Sequence, residues 1–573
     1  MVIEYAKIYQ TAFIHKKSGI IYGILVILII FIHLLLAQYY QFICDDAYIS
    51  FRYAKNMALG HGLTWNPGEY VEGYTNFLWT AWLGFCYWLG FDIESLSLIS
   101  SGLLSILSLG VVYLILREGF PDRYRILFLI TLALLAVNRS WNVWASSGLE
   151  TRMFTFFSLC GFYLVFLSKK RFAVLAGSFL FGLSTLTRPD GYLIFFCVIL
   201  AALFINRHSL KNRKTYLICL IMPYVLITGI HLLFRWNYYG LLLPNTYYAK
   251  VDDPWPEIGL IWLRAFILEY GLIPMILMGL VFYPFYLIKK GRKTIHAHFH
   301  LLALWVFGPA LAYYVIIVGG DHFEYRLFDT YMPFLEILMA DLAYVMVTGL
   351  NFIILKFIAI AITIWGLVFH VITPHFRILP YADSGENNQT HFYRSIAFLQ
   401  KNWPGVLLFT DKINRLYKTQ SQHYVGASQE SFKWFWQARL SAFKGFKNLP
   451  MPNSAVTRAT AIGVLGYYVD ITVIDEYGLT DRVITSQIKT SDKNKKLHSH
   501  NRMGSEEYFN QRGVNFIPVC VIDGQTRCRN PFYKDYSYMP LYKGTLANKT
   551  VLFRSPDIQW AIENFSNIQK INE

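Results

Sequence analysis

TNFLWTAWLGFCYWLGF, residues 75–91, is the stretch on which the topology turns. It is apolar enough to suggest a membrane crossing, yet it is short and rich in Trp. The next basic cluster, Arg117, Arg123 and Arg125, would lie outside the cell if these residues crossed, against the bias of Lys and Arg toward cytoplasmic loops. Residues 75–91 therefore read as an amphipathic helix lying at the outer interface, and Glu257–Glu269 reads the same way.

Working outward, the apolar runs long enough to span begin with Ser18–Gln38, which follows His15, Lys16 and Lys17 and lacks a small-residue cleavage site, so it reads as an uncleaved first helix with its N-terminus inside. Further runs cover 95–116, 126–143, 151–168, 172–187, 191–205, 216–234, 270–288, 299–318, 328–348 and 352–372, giving about eleven crossings. Basic clusters at 117–125, 169–171, 207–214 and 289–293 then all fall on the cytoplasmic side. The composition agrees: 55% of the 573 residues are hydrophobic and 15% charged, too apolar for an ordinary soluble chain of this length. The net charge of +16 is spread over loop clusters rather than gathered in one patch, which argues against nucleic acid as a partner.

After about residue 373 the composition turns polar, and an odd number of crossings puts the remainder outside. Residues 405–411, 471–478 and 513–523 read as strands, and 387–401 and 505–512 as helices. The expectation is a polytopic α-helical membrane domain over 1–373 with juxtamembrane helices, followed by a C-terminal soluble α/β domain over 374–573. Five of the seven cysteines lie in or beside apolar runs, whereas Cys520 and Cys528 stand in a polar region where a loop-closing disulfide is possible. No CxxC or HExxH pattern occurs.

The unusual residues gather in the outer loops, where charge near membrane depth is costly unless paired or functional. CDDAYISFRYAKNMALGHGLTWNPGEYVEGYTNFLW (44–79) carries Asp45 and Asp46 just before a helical run with Tyr48 and Arg52. Either carboxylate can cap that helix, and one can cap while the other works as a base. Glu150 ends SSGLE as a helix-start acid or a second carboxylate for an acceptor hydroxyl. Arg188 and Asp190 flank the turn in TRPDG, a plain turn or a phosphate site. Lys250 closes LPNTYYAK, and GGDHFEYR supplies Asp321, His322, Glu324 and Arg326. Basic residues converging with carboxylates on one face suit a phosphate leaving group beside a base.

With these motifs in order, together with LGYYVDITVIDEYGLTD (465–481) further on, the sequence resembles the bacterial GT-C glycosyltransferases, in particular the terminal arabinofuranosyltransferase (AftB-like and LphB-like) membrane proteins. The resemblance covers most of the chain and departs from the familiar pattern at HSHN, 498–501. It implies a GT-C-like fold in a bacterial inner membrane, a polyprenyl-phosphate sugar donor, of arabinofuranose in the family named, and a cell-envelope glycan or glycolipid acceptor on the outer face. By motif position Asp45 corresponds to the catalytic acid, with Asp46 the nearest alternative. Arg188, Lys250, Arg326 and His322 are expected at the donor phosphate, and Tyr48, Arg52, Glu72, Tyr74, Glu150, Asp190 and Asp321 around the acceptor or sugar. No cofactor is required; a divalent cation, Mg²⁺ or Ca²⁺, is optional on Asp45, Asp46 and Glu150. The rival readings are a transporter or flippase of lipid-linked sugars, which predicts repeats not visible here, and a non-catalytic envelope scaffold, which predicts tolerance of Asp45 replacement.

Overall fold

The computed structural model describes residues 2–205, 213–250, 254–290, 308–349, 353–375, 429–486, 501–522 and 536–571, with isolated residues between 412 and 426. Helices occupy the apolar runs in sequence order: Val2–Tyr39, Ile93–Gly119, Arg125–Val137, Thr151–Phe166, Ala173–Thr187, Asp190–Ile205, Arg213–Tyr239, Ile273–Lys290, Met332–Gly349 and Ile353–His375. The run at 126–143 is broken. Its helix stops at Asn138, whose side chain caps a second helix, Arg139–Ala145, bent 58° from the first. Among the described residues three helices are long and apolar enough to cross a membrane, or up to five if each bent pair is one span. The remaining apolar helices are shorter; one of 15 residues reaches about 22 Å, against a hydrocarbon core of about 30 Å.

The bundle is organised by small polar residues inside and large apolar ones outside. Along Ile93–Gly119, Ser97, Ser101, Ser105 and Ser108 are buried while Ile99, Leu103 and Leu107 are exposed, the arrangement expected when lipid takes the place of water around the helices. Close approach has a visible cause between Thr151–Phe166 and Ala173–Thr187: a Cβ on Gly177 would sit 3.0 Å from the Gly161 carbonyl oxygen.

Residues 75–91 form a helix, Phe77–Trp88, of 12 residues. At about 18 Å it is too short to cross the bilayer core, and it leaves Trp82, Phe85 and Trp88 exposed. It packs on helix Asp45–Ala58 through Gly84, where a Cβ would meet the Ala54 carbonyl oxygen at 3.0 Å. Helix Pro256–Glu269 likewise turns 92° against the helix that follows it.

The C-terminal part is mixed α/β. Strands β1 (Val456–Ala459) and β2 (Thr472–Asp475) pair in parallel, and β3 (Ile517–Ile522), β4 (Leu541–Leu546), β5 (Lys549–Arg554) and β6 (Ser566–Ile571) form an antiparallel sheet in the order β3-β5-β4-β6. Thus the strands read at 471–478 and 513–523 correspond to β2 and β3, and the helix read at 505–512 to Glu506–Gln511, capped by Ser505. The strand at 405–411 and the helix at 387–401 lie outside the described residues. One core joins this part to the first loop: Tyr48, Phe51, Trp65 and Trp79 are buried in the same cluster as Ile462, Leu465, Val473 and Phe553. Cys520 is disulfide-bonded; Cys528 lies outside the described residues. Cys44, Cys86, Cys160, Cys197 and Cys219 are free thiols.

Candidate active site

Five separated segments supply the site, each from the end of an apolar helix or a loop between two. Helix Asp45–Ala58 brings Asp45 and Asp46 in its first turn. Glu150 immediately precedes helix Thr151–Phe166. Arg188 ends helix Ala173–Thr187, and two residues later Asp190 opens the next helix, with Pro189 between them preventing continuation. Lys250 ends the short helix Asn245–Lys250. The GGDHFEYR string leaves the membrane helix through Gly319 (φ 77°) and Gly320 (φ 98°), left-handed conformations that glycine adopts without penalty. At Gly320 a Cβ would also come within 3.1 Å of the Trp262 ring.

These segments enclose two adjoining cavities of about 260 and about 270 Å³. Both are lined by Asp46, Asp190, Lys250 and Arg326. Asp321 and His322 belong to the first, and Glu150 and Arg188 to the second. The Asp46 carboxylate, 30% exposed, faces Arg326 (Nη1 to Oδ2, 3.8 Å) and Lys250 (Nζ to Oδ2, 4.0 Å). Arg326 Nε also donates to Asp321 (3.1 Å). Arg188 is held more tightly, with Nη1 on Glu150 Oε1 (3.0 Å) and Nη2 on Asp190 Oδ2 (2.9 Å). The other Glu150 oxygen accepts from Asn76 Nδ2 (2.9 Å). Lys250 and Arg326 thus face Asp46 at loose ion-pair distance, Arg326 being anchored by Asp321, while Arg188 is locked between two carboxylates.

Asp45 borders the first cavity but is only 3% exposed. It makes no cap on its own helix. Its two oxygens instead accept the backbone N–H groups of Gly463 (2.9 Å) and Val464 (2.8 Å), at the start of helix Gly463–Tyr468 in the C-terminal part. Burial pushes the Asp45 carboxyl up to about 6, against the pull of Arg439 and those two N–H groups. Its carboxylate is a clasp between the first loop and the C-terminal part.

Three residues expected around the acceptor line neither cavity. Tyr48 is buried among Phe51, Tyr467 and Tyr468. Arg52 is spent on Trp65 O, Gly466 O, Asn66 Oδ1 and Ile471 O, with its guanidinium over the Trp65 ring. Glu72 is buried against Arg235 (2.7 Å), and burial lifts its carboxyl to about 7. All three side chains are packed in the interior, away from both cavities. Tyr74 borders the second cavity, but its hydroxyl is engaged with Tyr239 (3.1 Å).

The C-terminal part contributes lining residues that sequence reading did not single out, among them Ile462, Tyr477, Leu479 and Asn501. Asn501 belongs to HSHN; His498 and His500 lie outside the described residues. From the membrane side Tyr314, buried beside Asp190, was also missed. Among the described residues no group of three or more His, Cys, Asp or Glu side chains comes together as a metal site.

No family model matches the chain. A terminal beta-(1->2)-arabinofuranosyltransferase of Mycobacterium tuberculosis (strain H37Rv) is 30% identical over 256 residues, 41% of this chain; the chain spans 40% of that relative's length. Among solved structures, ArnT from Cupriavidus metallidurans bound to undecaprenyl phosphate superposes with a TM-score of 0.50 at 11% identity, covering 94% of this chain and 98% of ArnT. The oligosaccharyltransferase of Archaeoglobus fulgidus in its apo form aligns with a TM-score of 0.38 at 12% identity, over 96% of this chain and 76% of its own. The ArnT likeness is one of fold.

Proposed function

We propose that this chain is a membrane glycosyltransferase that moves a sugar, arabinofuranose by its resemblance, from a polyprenyl-phosphate donor to a glycan or glycolipid of the cell envelope. The reaction takes place on the outer face of a bacterial inner membrane. The observation that carries this reading is the cavity in which one carboxylate, Asp46, stands opposite two cations, Lys250 and Arg326, at 4.0 and 3.8 Å. A phosphate leaving group needs positive charge where its own charge develops, and an acceptor hydroxyl needs a base within reach. The names of the arabinofuranosyltransferase relative and of the undecaprenyl-phosphate complex of ArnT support it.

In this mechanism Asp46 accepts the proton of the acceptor hydroxyl as its oxygen attacks the anomeric carbon. The bond from that carbon to the phosphate oxygen breaks, and the electron pair leaves with the polyprenyl phosphate. Lys250 and Arg326 stabilise the departing phosphate, with His322 beside them. Arg188, neutralised by Glu150 and Asp190, shapes the cavity wall and the second lobe, where the acceptor is received. A single displacement of this kind inverts the anomeric configuration. Asp46 is preferred to Asp45 as the base because both oxygens of Asp45 are already committed to backbone N–H groups.

The test is phosphate affinity. With the full chain in nanodiscs and undecaprenyl phosphate as the probe, Lys250→Met and Arg326→Met should each weaken binding about tenfold, the worth of one charge-assisted contact. Affinities equal to wild type for both variants would remove the donor site from this cavity.

A further inference from the structure

Outside the cavity, a buried ion pair lies between the segments that deliver Asp46 and Arg326. Arg139, the first residue after the helix break at Asn138, and Glu324, in GGDHFEYR, are 0% and 1% exposed. They meet in a bidentate contact, Nε to Oε1 at 2.5 Å and Nη2 to Oε2 at 3.0 Å. Glu324 Oε2 also accepts the backbone N–H of Gln429 (3.0 Å), and the Glu324 carbonyl accepts Trp144 Nε1 (2.9 Å). Gln429 in turn donates from Nε2 to the Tyr40 carbonyl (2.7 Å), and the Arg139 guanidinium lies over the Tyr40 ring, 5.0 Å from its centroid.

The chain on either side of this knot leads to Asp46 and to Arg326. Tyr325, in a left-handed conformation (φ 44°), turns the chain between Glu324, which faces the interior, and Arg326, which faces Asp46. On the Asp46 side, the Phe42 and Cys44 N–H groups donate to the carbonyls of Ser146 (3.4 Å) and Ser147 (3.1 Å), just beyond the helix that Arg139 begins. The approach to Asp46 and the approach to Arg326 are therefore fixed to one short helix. A bidentate guanidinium–carboxylate contact sets orientation as well as distance, whereas buried ion pairs add little stability over apolar residues of similar volume.

We propose that Arg139 and Glu324 are positioning residues that hold Arg326 opposite Asp46, an assignment that rests on the donor-site reading above for its functional meaning. Two readouts test it on the full chain. The first is structural and independent of that reading. Replacing the pair together, Arg139→Met with Glu324→Met, avoids an unpaired buried charge and should keep the melting temperature near wild type, while Arg326 leaves its place beside Asp46 in the variant's structure. The second is a cycle of undecaprenyl phosphate affinities. The paired replacement should weaken binding about tenfold alone and add nothing in an Arg326→Met background, as expected of groups acting through one another. If the paired variant does not fold, Glu324→Gln, which keeps the size and one acceptor, enters both measurements in its place. Arg326 found unmoved, or effects that add, would overturn the proposal. Arg326→Met without effect on binding would instead overturn the donor-site reading, leaving the positioning claim to be decided by the variant structure.

Discussion

Asp46→Asn should yield a folded protein that transfers sugar at least about 10²-fold more slowly than wild type, with donor binding preserved. Asparagine keeps the size and polarity of the side chain but cannot take the acceptor proton. Removing the negative charge also relieves the attraction that Lys250 and Arg326 feel toward Asp46, so phosphate affinity should hold or improve while turnover falls. Asp45→Asn is the paired control. Burial raises its carboxyl to about 6, and after the substitution one amide oxygen can still accept from Gly463 or Val464. Turnover should stay within a few-fold of wild type, with the loss appearing in thermal stability. The check is kcat from a polyprenyl-phosphoryl-arabinofuranose donor for both variants; an inactive Asp45→Asn beside an active Asp46→Asn would reverse the assignment.

The largest expected effect on stability is at Arg152. Its guanidinium pairs with Asp329, both side chains are 0% exposed, and it stacks 3.7 Å from the centroid of the Trp141 ring. Arg152→Met leaves Asp329 as an uncompensated buried charge, which should cost about 3–5 kcal/mol. Most of that loss should return in the double replacement Arg152→Met with Asp329→Leu, where no charge is left unpaired. Thermal unfolding of the three proteins in the same detergent reads both numbers. A single variant that melts like wild type would mean the pair contributes nothing.

Much of the helical architecture was legible because lipid imposes a simple rule: backbone polar groups must pair within the segment, so each long apolar run becomes a helix. The positions of 93–119, 151–166, 173–187 and 213–239 follow directly. The helix at 77–88 falls within the short Trp-rich run 75–91 that was read as a helix. The break at Asn138 was not legible, because the apolar run continues across it and only the side-chain cap on Trp141 N marks the bend. Convergence of Asp46, Glu150, Arg188, Asp190, Lys250, Asp321 and Arg326 was readable because each sits where an apolar run ends on the same side.

What sequence could not separate was a charge facing a cavity from a charge answered inside the core. Asp45 and Asp46 are neighbours with the same chemistry; the difference is a helix start more than 400 residues away that takes both oxygens of one of them. Arg52 and Glu72 look as exposed in sequence as Lys250 does, yet both are buried, Arg52 on the Gly466 and Ile471 carbonyls and Glu72 against Arg235. Ile462, Tyr477 and Leu479 enter the cavity wall through a shared core with the first loop, a contact that local pattern does not encode.

The central claim, that a lipid phosphate leaves from the cavity where Asp46 faces Lys250 and Arg326, is tested most directly by a structure of the wild-type chain with undecaprenyl phosphate in nanodiscs. The phosphate oxygens should lie within hydrogen-bond distance of both Lys250 Nζ and the Arg326 guanidinium, with Asp46 beside them and the prenyl tail leading to the lipid. A phosphate seated elsewhere on the protein, touching neither cation, would contradict it.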